Sequence, residues 1–395
     1  MTSQALSHTR RRTSAAGQQH GQAGVLRIVG FLSFFDRFAT APLLLLASRD
    51  LHVGMGAAVQ LVTVYALFYA VGQPFWGALS DRIGRRRVLL VALGGMVAGS
   101  AVSVIAPTFF WLLIARAATG LFVGALFPTV LTIVGDVFTG PARSRQISDL
   151  QTFTALGTTA ATLLAGIIGV AVGWRAIFAV AGVAALVLFF LARSVRDAAR
   201  STVERRLRDS FGRWPVALYV VGVLEGAVLL GILTYIVPAL ERDGVSVQLA
   251  GLLGSAYGVG IIVGAATSKR VAHRWARWIP IAVGSITLIV AYAVAAGSQT
   301  LVALTVAAVL VGLSNSFLHS TLQGLATELT PASRATTVSL FVSAVFVGSS
   351  LATAVTATET ATGYGPVFLQ AAIAGVIVAA SSVLFAVLWE RRTSH

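Results

Sequence analysis

The chain has 395 residues, of which 56% are hydrophobic and 11% charged, against about 25% charged in an ordinary soluble domain. A water-soluble fold of this length could not hide so much apolar surface, so lipid must be part of its solvent. The absence of cysteine excludes a disulfide framework, thiolate-bound zinc, iron–sulfur clusters and a cysteine nucleophile, and the net charge of +15 acquires meaning only once the charges are placed.

Residues 1–23 are polar and rich in Ser, Gln, Gly and Arg, the composition of a disordered tail. Arg10, Arg11 and Arg12 could open a twin-arginine export signal, but the apolar stretch that follows is too long and lacks a small-residue cleavage site. It reads instead as the first of twelve spans found by hydropathy windows of about 20 residues. The spans are predicted near 24–47, 57–79, 88–106, 108–134, 147–172, 174–192, 215–240, 247–268, 278–297, 300–327, 335–360 and 366–389. Only Pro107 separates the third from the fourth, and only Gly173 and Trp174 the fifth from the sixth. Long, continuously apolar segments without ten-residue alternation favour helices over an outer-membrane barrel. The prediction is an all-α polytopic protein: a tail at 1–23, a six-helix bundle at 24–192, a basic linker at 193–214, a second six-helix bundle at 215–390 and a short tail at 391–395.

The arginines set the orientation. With the N-terminus cytoplasmic, 24 of the 29 Lys and Arg residues fall in inside segments or helix flanks, seven of them between Arg193 and Arg213. Arg49, Arg175 and Arg242 fall outside, and Arg37 and Arg116 lie within spans. This is the positive-inside pattern, with both termini cytoplasmic in a cell membrane. The basic composition is therefore a topology signal, lipid is the expected partner, and nucleic acid is not. The linker has the amphipathic, cationic character of a segment lying on an anionic leaflet.

Sliding the chain on itself by 192 residues aligns Tyr65 with Tyr257, Gly72 with Gly264, Arg82 with Arg274, Gly120 with Gly312 and Asp136 with Glu328. Pro141 then aligns with Pro331 at an offset of 190. A nearly constant offset across four helices implies two related halves, an architecture that places a transport site at the repeat interface. The pairs Gly95/Gly99, Gly120/Gly124, Gly254/Gly258 and Gly260/Gly264 have the spacing of close helix contacts.

After the second span the chain reads Gly77-Ala-Leu-Ser-Asp81-Arg82-Ile-Gly84-Arg85-Arg86-Arg87. This resembles the G-x-L-x-D-R-x-G-R-R signature between the second and third helices of the major facilitator superfamily. Arg116-x-x-x-Gly120 in the fourth helix and Gly173-Trp174-Arg175 at the outer turn add weaker matches. Gly77 is expected to allow close contact with a neighbouring helix, with Asp81 one turn further on at the membrane boundary. The resemblance implies that Asp81 sits near the start of the eleventh helix and that Arg85 pairs with Asp136, a latch closing the cytoplasmic side. The corresponding second-half turn, Lys269-Arg270-Val-Ala-His273-Arg274, has no carboxylate, so the latch is expected on one side only.

Charged groups inside spans cost several kcal/mol unless paired or hydrated. Asp36 lies twelve residues beyond Gly24, about 18 Å along the first helix, and Arg116 lies about 12 Å in from Thr108 at the other end of the fourth. In a 30 Å core these depths coincide. Ser33, Asp36 or Arg37, and Thr40 form a polar stripe on the first helix. Adjacent side chains project about 100° apart, so Arg116 is the better partner for Asp36, and Arg37 is left for an anionic substrate or another group. A carboxylate of this kind suits proton coupling; a permanent structural pair is the alternative. Glu225, about 15 Å into the seventh helix, is a second-half candidate for protonation or cation binding, or else a hydrogen-bond acceptor from nearby backbone. Asn315 and His319 share a face of the tenth helix at i and i+4.

The resemblance extends to bacterial drug- and metabolite-efflux members of the drug:proton antiporter type. It implies a monomeric, proton-driven exporter of small lipophilic or weakly charged molecules, with the proton gradient as energy source and no cofactor, metal or catalytic residue. The antiporter pattern of the fifth helix is only partly met: Gly157 and Gly166 keep their spacing, but Val170 and Ala171 replace the final Gly-Pro. A proton-linked importer or facilitator, and a non-transporting sensor, remain alternatives. The loops lack the acid, base or metal set of a membrane-embedded enzyme.

Overall fold

The computed structural model describes residues 21–138, 140–195, 207–271, 275–330 and 334–393. Most of the sequence-predicted tail, the linker core at 196–206 and Pro331 therefore lie outside the described residues. Twelve helices among those described are long and apolar enough to cross a membrane. In chain order they are α1 (Gly21–Asp50), α2 (Met55–Ser80), α3 (Arg85–Ile105), α4 (Phe109–Val137), α5 (Asp149–Ala171), α6 (Arg175–Ala192), α7 (Arg213–Arg242), α8 (Val247–Ser268), α9 (Trp278–Gly297), α10 (Leu301–Leu329), α11 (Thr336–Thr356) and α12 (Gly365–Arg392). Val71, Val183, Ile373 and Leu384 each leave more than half of their surface uncovered, an apolar exterior suited to lipid.

Sharp joins come from backbone geometry that side chains resist. Gly84 has φ 101° and ends the α2 helix, which continues to Ile83, so that α3 starts at Arg85. Gly173, at φ 113°, turns α5 into α6. Each is a left-handed or extended-positive conformation open to glycine at little steric cost.

Packing repeats with the sequence. A Cβ on Gly120 of α4 would strike the Tyr65 carbonyl of α2, and one on Gly312 of α10 would strike the Tyr257 carbonyl of α8. Gly157 on α5 meets the Phe31 carbonyl of α1 as Gly348 on α11 meets the Val223 carbonyl of α7. The two halves thus share their closest helix crossings, where missing side chains let backbones touch. Gly77 makes no such crossing: nothing lies within 4 Å of the position a Cβ would take. The close α2–α4 contact falls instead at Gly72, against the Leu121 carbonyl, because the inward face of α2 has rotated away by Gly77.

The halves join through α2 with α11 and α5 with α8. Thr63 donates to Thr353 Oγ1 at 2.7 Å, Ser350 donates to the Thr63 carbonyl at 3.0 Å, and the Tyr69 ring meets that of Phe346, tilted by 40°, at 4.4 Å between centres. Gly166 and Gly251 bring α5 and α8 together. These contacts run from the bundle end opposite Gly21 and Thr393, hereafter the far end, down to about mid-depth.

Four helices, two in each half, are irregular at related places. A 3₁₀ turn at Ala41–Leu43 interrupts α1, and a turn at Gly124 interrupts α4. In the second half α7 carries a π turn at Ala227–Gly231 followed by a 3₁₀ turn at Ile232–Tyr235, and α10 carries a π turn at Asn315–His319. Turns of this kind inside long helices concentrate at functional sites.

Candidate functional site

Two ion pairs and one further guanidinium lie on these four helices. On α4, the Arg116 Nη1 donates to Asp36 Oδ1 at 3.3 Å, and Nη2 reaches the Asp36 carbonyl at 3.4 Å and Oδ2 at 3.5 Å. The two side chains are 0% and 1% exposed. Arg116 also lies over the rings of Tyr65 on α2 and Phe178 on α6, at 4.5 and 4.9 Å. The carboxylate therefore neutralises a charge that hydrocarbon would not tolerate alone. The contacts are longer than the 2.7–2.9 Å usual for a charge-assisted bond, and the Arg116 Nε has no acceptor. Ser33 and Thr40, on the same stripe, are buried, and the Thr40 hydroxyl lacks a partner.

Glu225 and His319 form the second pair, with Nδ1 and Oε1 3.0 Å apart. Glu225 is fully buried and His319 is 18% exposed, so this pair is reachable where the first is sealed. The partner of Glu225 is thus a side chain on α10 and not neighbouring backbone, because the π turn at Asn315–His319 carries His319 toward α7. The second carboxylate oxygen, Oε2, is buried without a partner. Asn315 is half-buried and joins neither pair.

Arg37 belongs to neither pair. No carboxylate meets it among the described residues, and its guanidinium sits 4.0 Å from the ring centre of Phe346, 4.7 Å from Phe38, 5.4 Å from Phe34 and 5.8 Å from Tyr69. Phe346 belongs to α11, so this cation–π cluster spans the two halves. Arg37 also lines a cavity of about 70 Å³ between the halves, with Tyr65, Leu233, Tyr257 and Phe346 in its wall. That volume admits several waters at about 10–15 Å³ each. Aromatic positions inside apolar runs carry no polarity contrast, which is why Tyr65, Tyr69, Phe178 and Phe346 do not stand out in the sequence.

At the near end, where Gly21 and Thr393 lie, Arg85 Nε meets Asp136 Oδ2 at 3.3 Å and Arg85 also donates to Ser80 Oγ at 3.3 Å. Arg82 is exposed. The side chain of Asp81 lies outside the described side chains, as do those of Arg334 and Ala335 just before α11. The expectation of a one-sided arrangement is corrected: Arg277 pairs with Glu328, and its backbone N–H donates to Glu390 at 2.6 Å. Arg277 and Glu328 stand 192 residues after Arg85 and Asp136, so the repeat offset held the signal. The turn Lys269–Arg274 hid it, because the second-half arginine that matters is the one three residues beyond that turn.

The sequence profile of the Major Facilitator Superfamily matches residues 26–352, and a second match covers residues 218–395. The multidrug efflux pump LfrA of Mycolicibacterium smegmatis is 30% identical over 62% of this chain and 46% of its own length. The niacin transporter NiaP of Acinetobacter baylyi is 26% identical over 46% of this chain and 42% of its own. The matched stretch thus spans less than half the length of each of these two relatives. Among solved structures, an inward-facing bacterial homologue of the human lysosomal transporter Spinster superposes with a TM-score of 0.73, at 20% identity, over 93% of this chain and 97% of that one.

Proposed function

Because the chain belongs to the Major Facilitator Superfamily, we propose that this membrane transporter exports small lipophilic or weakly charged molecules in exchange for protons by alternating access of its two halves. The observation that carries the reading is the sealed Asp36–Arg116 pair. A carboxylate closed off in one conformation can exchange its proton only in another, which is the requirement for coupling a proton to a conformational cycle. Protonating Asp36 releases Arg116 to seek another partner, so the proton and the rearrangement of the pair are linked. The π turns beside Glu225 and His319 support a second titratable station in the other half.

The charge pattern supports an orientation with both termini in the cytoplasm of a cell-membrane protein. The far end is then the outside, and the contacts of α2 with α11 and α5 with α8 close it. Arg37, without a carboxylate and faced by four rings, favours weakly anionic, flat members of the substrate class over cations. Relatives named for multidrug efflux and for niacin transport bracket that range. No catalytic role is assigned to any residue, and no metal or cofactor is required.

Accumulation assays in cells with and without an uncoupler test the direction. Collapse of the proton gradient is expected to raise intracellular substrate. Unchanged accumulation would refute proton-driven export, and a fall would mark an importer.

A further inference from the structure

Glu241 lies in the last turn of α7, at the far end, and is 8% exposed. Both of its carboxylate oxygens are buried with no hydrogen-bond partner. An ionised carboxylate in that position would be desolvated without a donor, a cost of several kcal/mol. The free carbonyls at a helix C-terminus oppose the same charge. A neutral, protonated Glu241 avoids both.

Its neighbours do not supply a hydrogen-bonded counter-charge. The end of α7 packs on residues 41–50 of α1, on the start of α8 and on the first half of α10. The stretches Val247–Gly254 and Leu301–Ser314 contain no titratable residue. On α1, Asp50 is held by Arg175 and Trp174, while the exposed Arg49 acts on Glu241 through its field without a hydrogen bond. Tyr364 in the turn before α12 lies close enough to sense the ionisation state of Glu241, and Tyr235 is occupied with Thr356 at 2.8 Å. On α7 itself, Arg242 donates to the Thr360 and Thr362 carbonyls and Asp243 is exposed.

We infer that Glu241 is a proton-binding site of the outer gate, separate from Asp36: it is protonated while the far ends of α1 and α7 are packed together, and it ionises when they part and water and Arg49 reach it. This rests on the alternating-access reading. By linkage, a state that holds one more proton gains on its competitor as pH falls, so acid favours the closed far end and alkali the open one, by up to about tenfold per pH unit.

The native chain has no cysteine, so spin labels at Val172→Cys and Thr300→Cys report the far-end separation directly in the otherwise unaltered protein. In lipid nanodiscs between about pH 5 and pH 9, the wild-type side chain at 241 is expected to show an open fraction rising with pH. Glu241→Gln, equal in size and permanently neutral, should lose that rise and stay closed; Glu241→Asp should keep a rise. Asp36→Asn in the same labelled background should keep it too. A pH response of wild-type size in Glu241→Gln, or one lost in Asp36→Asn and retained in Glu241→Gln, overturns the proposal. Failure of proton-driven export is read separately, from flux, and leaves this distance measurement to decide on Glu241 alone.

Discussion

At the scale of the residue, the account turns on a charge pair that the membrane would not accept divided. Asp36→Asn leaves Arg116 buried at 0% exposure without its counter-charge, an imbalance that typically costs about 3–5 kcal/mol. The variant is expected to insert and fold, to melt at lower temperature in detergent, and to lose gradient-driven transport. Asp36→Asn combined with Arg116→Met should recover much of the melting temperature but none of the coupling. If stability and coupling returned together, the pair would be only structural. Arg37→Gln makes the opposite prediction. It removes an unpaired cation from among four rings, so folding should persist while binding of an aromatic monoacid such as salicylate weakens about tenfold, read by calorimetry. Benzyl alcohol should be affected little. The meeting of Asp36 with Arg116 could be read from equal depths on two helices, because rise per residue is fixed. Glu241 could not, since a carboxylate at the end of a span is ordinary and only the three-dimensional packing shows it buried.

At the scale of the element, glycines decide where helices touch. Gly120→Ala would drive a methyl into the Tyr65 carbonyl, backbone that cannot step aside. It is expected to cost about 1–3 kcal/mol through overpacking. Gly77→Ala faces open space and should leave the melting temperature within a degree or two of wild type, so comparing the two in one detergent separates contact from mere glycine content. The near-end pairs carry less energy. Arg85 with Asp136 is partly exposed, as is Arg277 with Glu328, and pairs of this kind contribute about 0–1 kcal/mol. Their loss should show in turnover more than in stability. Twelve spans and their tight joins at Pro107 and Gly173 follow from hydropathy and turn chemistry. The π turns in α7 and α10 do not, because a run that is apolar on every face shows no break when one extra residue rotates it. That extra residue is also what brings His319 to Glu225.

At the scale of the whole molecule, two related bundles meet closely from the far end to mid-depth, and transport requires that seam to open. The Thr63 and Thr353 hydroxyls meet across it at 2.7 Å. Thr63→Cys with Thr353→Cys, in a chain without other cysteines, should cross-link under mild oxidant and stop flux, and reduction should restore it. Continued transport by the cross-linked protein would mean that the halves do not separate there. The repeat was legible as an offset of 192 residues, and packing reproduces it in glycine crossings and in the Arg85–Asp136 and Arg277–Glu328 pairs. The halves diverge in their inner charges, since Asp36 and Arg116 correspond to Val228 and Ala308. The division of labour between a sealed pair in one half and a half-open pair in the other is a property of this chain and not of the repeat.

The most direct measurement is flux in proteoliposomes with an imposed pH gradient, using a compound selected by export profiling of a deletion strain. Wild-type protein is expected to move it against its own gradient, in the direction opposite to the protons, while Asp36→Asn allows at most downhill equilibration. Uphill movement by Asp36→Asn at the wild-type rate would contradict the account.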